Sequence, residues 1–323
     1  MVIRREPLFI PTDEFLSALI KTSASGGFKI FMRKYLKYFF IFLGLISLLL
    51  LINAYQRQSG TVLGIFSHSA STNLRIIFLN VGQGDSALVI APGGDDILID
   101  GGPDKTVVQK LGQYLPYSDR EIEYMVLSHP HSDHVSGLVE VLKRYKVDRV
   151  IMTGASHTAT DYLEFLQLIK EKNIPITLID QPQHLILNDL DFEFLEPDKS
   201  LNGIKVENLN NSSLVFKVVY GSSTALFMGD FENEEELASS SVGLKSDLLK
   251  VGHHGSQNAN SKNFLSLVSP QFAIIFVGKN NSYGLPDYRT IHYLAQLGAR
   301  VFRTDQNGDV EFLTNGKSWQ LAN

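Results

Sequence analysis

The sequence predicts an α/β domain built as an αββα sandwich, preceded by one N-terminal transmembrane helix. Three observations predict it. A charge-free apolar run occupies residues 38–55, strand-like and amphipathic helix-like segments alternate from residue 74 onward, and that alternation comes twice in succession. Helices that follow strands on their outer faces suggest two sheets packed face to face inside helical layers, rather than one doubly wound parallel sheet.

The run YFFIFLGLISLLLLINAY is eighteen residues long, which at about 1.5 Å rise per residue nearly matches a bilayer core. Lys29, Arg33, Lys34 and Lys37 precede it and only Arg57 follows closely. The excess of positive charge on that side puts the N-terminus in the cytoplasm and the rest of the chain outside the cytoplasmic membrane. The expected division is a cytoplasmic segment 1–34, a transmembrane helix 35–56 in the lipid bilayer, a polar linker 57–73 and a folded domain 74–323.

Within that domain strands are expected at 74–81, 86–92, 96–102, 123–129 and 148–154, with helices at 106–115, 136–145 and 159–172. The second half repeats the theme. It has strands at 184–188, 190–196, 213–220, 224–230, 247–253 and 272–278, helices at 232–240, 261–268 and 288–298, and two closing strands around 301–313.

Charge is unevenly spread. The 29 Lys/Arg and 34 Asp/Glu give a net −5. Residues 1–57 hold eight basic residues against Glu6, Asp13 and Glu14, a balance of +5, which leaves −10 for the remainder. A domain gripping nucleic acid through many phosphates would carry a basic stripe, and this one does not advertise it. The absence of cysteine removes thiolate metal sites, disulfides and cysteine nucleophiles, so any metal must be held by histidine and carboxylate.

His129, His131, Asp133 and His134 supply four potential ligands within six residues, at the end of an expected strand and the entry to a helix expected near Ser136. Residues so spaced can converge on one point, with a second ion a few ångströms away. Asp230 at a strand end is unremarkable by itself, since Gly-Asp is a common turn dipeptide. Of His253 and His254, the first is expected as a ligand because it ends its strand. His254 enters the glycine turn and suits either ligation in its place or proton transfer to a leaving oxygen. Lys250 either stabilises an oxyanion or is a solvated strand lysine. Asp85 and Asp100 either hydrogen-bond ligand histidines or form turns.

The segment Ser128-His129-Pro130-His131-Ser132-Asp133-His134 resembles the H-x-H-x-D-H signature of the metallo-β-lactamase fold. Its surroundings resemble more narrowly the hydrolase domain of ComEC-type competence proteins. Val81-Gly82-Gln83-Gly84-Asp85, Ile99-Asp100-Gly101-Gly102, Asn210-Asn211-Ser212-Ser213-Leu214, Met228-Gly229-Asp230 and Leu249-Lys250-Val251-Gly252-His253-His254-Gly255-Ser256 follow in that family's order. Two positions depart from it. Leu285 stands in Asn281-Ser282-Tyr283-Gly284-Leu285-Pro286 where a histidine is usual, and Asn80 stands where an aspartate is usual.

The resemblance implies two divalent ions, Zn or Mn. His129 and His131 would hold one, and Asp133, His134 and a histidine of the 253–254 pair the other, with Asp230 bridging. Asp85, Asp100, Asn211 and Lys250 would lie behind these ligands or beside the substrate, and Asp133 and His254 would take part in proton transfer. It implies hydrolysis by a hydroxide held between the ions, acting on DNA or another phosphodiester, with a multi-span channel protein as partner. Hydrolysis of another ester or amide, or a non-catalytic metal-stabilised binding module, are the alternatives.

Overall fold

The central strands are hydrophobic on both faces because both faces are covered. In β1 (Leu74–Phe78) the side chains of Ile76 and Phe78 enter the core between two sheets, while Ile77 between them enters a second core on the outer side. This period of two recurs throughout the computed structural model, which describes residues 73–240 and 243–322 together with Tyr38, Phe42, Gly44 and Ser47. The expected transmembrane helix 35–56 and linker 57–73 lie almost wholly outside the described residues. Among the described residues no helix is long and apolar enough to cross a membrane. The chain divides into Met1–Ser67 and His68–Asn323, and the fold below is that of the second unit.

The first sheet runs β15 (Gln320–Leu321), β14 (Val310–Thr314), β1, β2 (Ala87–Ile90), β3 (Asp96–Ile99), β4 (Glu121–Val126), β5 (Lys146–Met152) and β6 (Ile176–Leu178). The second runs β13 (Arg300–Arg303), β12 (Phe272–Ile275), β11 (Leu248–Lys250), β10 (Ser223–Phe227), β9 (Val215–Tyr220), β8 (Leu190–Glu196) and β7 (Gln183–Leu187). Between the sheets lies an aromatic ladder. Phe216 stacks on Phe227 with centroids 5.2 Å apart, and Phe227 stacks on Phe78 of the opposite sheet at 5.9 Å. Helices α1 (Thr106–Tyr114), α2 (Ser132–Leu142) and α3 (Thr160–Lys172) cover the first sheet. Helices α4 (Glu234–Ser239), α5 (Lys262–Val268) and α6 (Tyr288–Gln296) cover the second. The arrangement is the expected αββα sandwich.

Four local differences bear on the site. Helix α2 starts at Ser132 rather than near Ser136, with His131 as its extended N-cap and Asp133 in its first turn, where a negative charge complements the helix dipole. Strand β11 stops at Lys250, so His253 does not end a strand. The two closing strands separate: β13 joins the second sheet, while β14 returns to pair antiparallel with β1 in the first. Strands β6 and β15 were not expected, and both are short.

Helix α2 sits tightly on the end of β3 because two glycines meet there. The Gly101 amide donates to the carbonyl of His134 at 2.8 Å, and the Gly137 amide to that of Gly102 at 2.9 Å. A Cβ on Gly101 would lie 2.3 Å from the Leu138 nitrogen, so no other residue fits without displacing the helix.

Candidate metal centre

The candidate residues gather where strands end. Asp100 follows β3, Ser128 and His129 follow β4, Asp230 follows β10, and His253 and His254 follow β11. Strands β3 and β4 run parallel, as do β10, β11 and β12, so their C-terminal ends lie side by side. The loop between β1 and β2 adds Asp85. The cap and first turn of α2 add His131, Asp133 and His134.

His134 is held from behind. Its Nδ1 donates to Asp100 Oδ2 at 2.8 Å, and Asp100 is itself fixed by the Ser128 amide (2.8 Å) and hydroxyl (2.6 Å). That hydrogen bond leaves Nε2 free to ligate. Nε2 is buried with no hydrogen-bond partner, 3.4 Å from Asp230 Oδ2 and 3.9 Å from Asp133 Oδ2. His254 has the same logic. Its Nδ1 donates to the Phe276 carbonyl at 3.1 Å, and its Nε2 lies 3.1 Å from Asp133 Oδ2 and 3.4 Å from Asp230 Oδ2. Asp85, His134, Asp230 and His254 each offer a ligand atom within 4.8 Å of the others, and all four are buried. Next to them, His129 Nε2 and His131 Nδ1 are 2.9 Å apart. Imidazoles fixed from behind, carboxylates between them and an unpartnered ring nitrogen form a donor set that fits divalent cations.

A family model described as the metallo-beta-lactamase superfamily matches residues 79–279. The chain belongs to that superfamily. Three relatives bear out the resemblance to competence proteins. ComE operon protein 3 of Bacillus subtilis (strain 168) is 29% identical over 304 residues, covering 84% of this chain and 39% of its own length. Recombination protein 2 of Haemophilus influenzae is 28% identical over 251 residues, covering 76% of this chain and 29% of its own. Competence protein ComA of Neisseria gonorrhoeae is 30% identical over 201 residues, covering 60% of this chain and 25% of its own. The chain therefore spans less than two fifths of the length of these relatives. Among solved structures, the metallo-beta-lactamase fold protein YhfI from Bacillus subtilis superposes with a TM-score of 0.50 at 13% identity, over 74% of this chain and 99% of that one, a likeness of fold.

Within this superfamily site the charges are strongly coupled. Burial pulls His134 down, but the carboxylates of Asp230, Asp100, Asp133 and Asp85 outweigh it and hold its pKa well above the usual value. Burial likewise opposes charging of His254, and Asp230, Asp133 and Asp85 raise it to about 10. Asp230 answers in the other direction. Its burial is outweighed by His254, His134 and Lys250, which keep it ionised. His129 and His131 are lowered, by burial first and, for His129, by the His134 charge next, so both stay neutral and able to ligate. The carboxylates thus make a field that attracts positive charge, whether protons or metal ions.

Lys250 is neither solvated nor aimed at a substrate. It is buried, donates to the Gly229 carbonyl at 2.5 Å, pairs closely with Asp85 and lies 3.5 Å from Asp230 Oδ1. In two neighbouring pairs the structure buries the partner of the expected residue more deeply. His254 is in the buried group, while His253 is 26% exposed, bonded to Glu232 Oε1 at 2.7 Å, with Nε2 3.9 Å from Asp230 Oδ2. Both have left-handed backbone, at φ 43° and 51°, which turns the chain after β11 and carries His254 inward. Asn210 lines the cavity with its buried Oδ1 unpartnered. Asn211 instead accepts from the Glu232 amide and donates to Asn233, both at 2.9 Å, bracing the loop after Asp230.

The cavity over the cluster holds about 220 Å³, and Gln83, Tyr283 and Leu285 complete its wall. Leu285 therefore places an aliphatic group in the cavity wall. Glu232 and His157 are not among the site residues expected from the sequence, nor is Ser128 expected as the support of Asp100. Glu232, two residues beyond Asp230, carried a signal in its spacing. His157 stood in a polar run and carried none.

Proposed function

We propose that the chain is a membrane-anchored, metal-dependent phosphodiesterase acting outside the cytoplasmic membrane, with DNA strands as its substrate. The observation that carries this reading is the position of Asp230 Oδ2, 3.4 Å from both His134 Nε2 and His254 Nε2. His129 and His131 would hold one cation and Asp133, His134 and His254 the other, with Asp230 between. Divalent ions there, Zn or Mn, would acidify water and offset charge developing on phosphoryl oxygens.

The chain's own residues do the rest. Asp100 fixes the tautomer of His134, and the Phe276 carbonyl that of His254. Lys250 keeps Asp230 ionised and holds Asp85 and Asp230 in place. Asp133 is the most open carboxylate of the group, its side chain 34% exposed, and orients attacking water from the cavity floor. His253 at the rim, backed by Glu232, is placed to give a proton to the leaving oxygen.

Names of two relatives, a competence protein and a recombination protein, support DNA as the substrate. The net charge of −10 outside residues 1–57 keeps the contact to a few phosphates near the cations. Residues 35–56 would anchor the chain in the bilayer. The reading includes a multi-span channel protein as partner for passage of the strand.

The test is cleavage of single-stranded DNA and of bis-p-nitrophenyl phosphate by the full chain, purified in detergent and supplied with Mn²⁺ or Zn²⁺. Both substrates should be cleaved, and His131→Ala should abolish turnover. Metal binding without cleavage of either would leave a binding module. Cleavage of a lactone or β-lactam instead would move the chain to another hydrolase class.

A further inference from the structure

A second cavity adjoins the candidate centre. It holds about 410 Å³ and shares His131 with the cavity over the cluster. One wall comes from Ser156, His157 and Thr158, between β5 and α3, and the other from Lys205 to Leu209, ahead of β9. The loops are tied together: the Ser156 amide donates to Ile204 O at 2.8 Å and the Gly203 amide to Gly154 O at 2.9 Å. Gly154 and Gly203 adopt φ +77° and +71°, which glycine alone takes without strain. The groove is thus built into the fold.

Its chemistry points to an anion. His157 Nδ1 is buried and has no hydrogen-bond partner, and its ring stands edge-on to His131 at 6.2 Å. Lys205 on the facing wall is exposed and forms no ion pair among the described residues. Ser156 and Thr158 add hydroxyl donors. Glu207 on the same wall would repel a further negative group. The lining therefore suits one phosphate and discourages a longer track, in keeping with the acidic balance of the domain.

We propose that this groove seats the phosphate next to the scissile one, with His157 and Lys205 as its contacts. The substrate is then a strand with at least two consecutive phosphodiester linkages rather than a phosphomonoester or an isolated diester. This rests on the phosphodiesterase reading and deepens it. The ring separation from His131 is comparable with the spacing of neighbouring phosphates along an extended strand.

The test has a binding arm and a turnover arm, both on the full chain in detergent. Binding of fluorescein-labelled hexathymidylate is read by anisotropy in an Asp230→Asn background, with Asp133→Asn as a second background if the first does not fold. His157→Ala and Lys205→Ala should each weaken binding about threefold to tenfold, and Lys205→Ala should lower the slope of log affinity against log salt by about 0.7, one phosphate contact on a single strand. Lys172→Ala, the same charge change at the C-terminal end of α3, should alter neither. Undiminished binding by His157→Ala and Lys205→Ala, no binding by the parent, or an equal loss with Lys172→Ala would overturn the proposal. In the turnover arm, Lys205→Ala should lower the ratio of kcat/KM for the oligonucleotide to that for bis-p-nitrophenyl phosphate about tenfold. If the binding losses appear while the unmodified chain cleaves neither substrate, the groove stands and the hydrolytic reading falls.

Discussion

Gly101 and Gly137 meet with no side chain between them, and a Cβ on Gly137 would stand 1.9 Å from the Gly101 carbonyl oxygen. This contact seats the first turn of α2, and with it Asp133 and His134, on the end of β3. Gly137→Ala should therefore lower stability by about 3 kcal/mol through overpacking, and should cost metal as well. Urea denaturation and elemental analysis of the same preparation check both. A stable variant with full metal content would show that α2 is free to shift.

The histidine pair gives a sharper contrast. His254→Ala removes a buried nitrogen beside both Asp133 and Asp230, whereas His253→Ala removes a rim group held by Glu232. The first should lose one metal equivalent. The second should keep its metal and lose turnover through the leaving-group step. Metal-to-protein ratios of the two variants decide it, and the reverse pattern would return the ligand role to His253.

Lys250→Met leaves Asp85 and Asp230 buried without their cation. A broken buried pair of this kind costs on the order of 3–5 kcal/mol. The loss should be full in EDTA and partly recovered in excess Mn²⁺, because bound dications replace the missing charge. Thermal unfolding under the two conditions measures it. Equal melting of variant and parent in EDTA would mean that Lys250 does not hold these carboxylates.

Asp96 offers a test at the opposite end of β3. Burial, then the charges of Asp119, Glu123 and Asp95, raise it to about 8 from 3.8. A carboxyl raised on folding binds its proton more tightly in the native state, so its stabilising effect is complete below pH 3.8 and is lost as pH rises towards 8. The melting temperature should fall between pH 5 and pH 8. Asp96→Asn should flatten that fall, and an unchanged slope would show that Asp96 does not cause it.

The sandwich was legible because the central strands are covered on both faces, so largely apolar runs such as 74–81 marked them. Strands β6 and β15 escaped because they are short, and in β6 Ile176 and Leu178 stay exposed. The residues of the site were legible in type and order, since histidine and aspartate had to supply any ligands in a chain without cysteine. Which member of an adjacent pair turns inward was not. At His253 and His254 that depends on two left-handed residues, and at Asn210 and Asn211 on a 3-10 turn at Leu209–Ser212. His157 lies 26 residues from His131 in the chain and meets it only through the packing of the loop after β5.

The return of β14 to β1 also governs when the domain can form. Arg75 bonds Glu311 across 236 residues of sequence, and the edge of β1 has no partner on that side until residues 310–314 have been synthesised. A contact this distant makes folding slow and leaves an open strand edge during synthesis, a template for pairing with other chains. Nascent chains stalled before Val310 are therefore the species most exposed to aggregation, whatever the condition of the metal ligands they already contain.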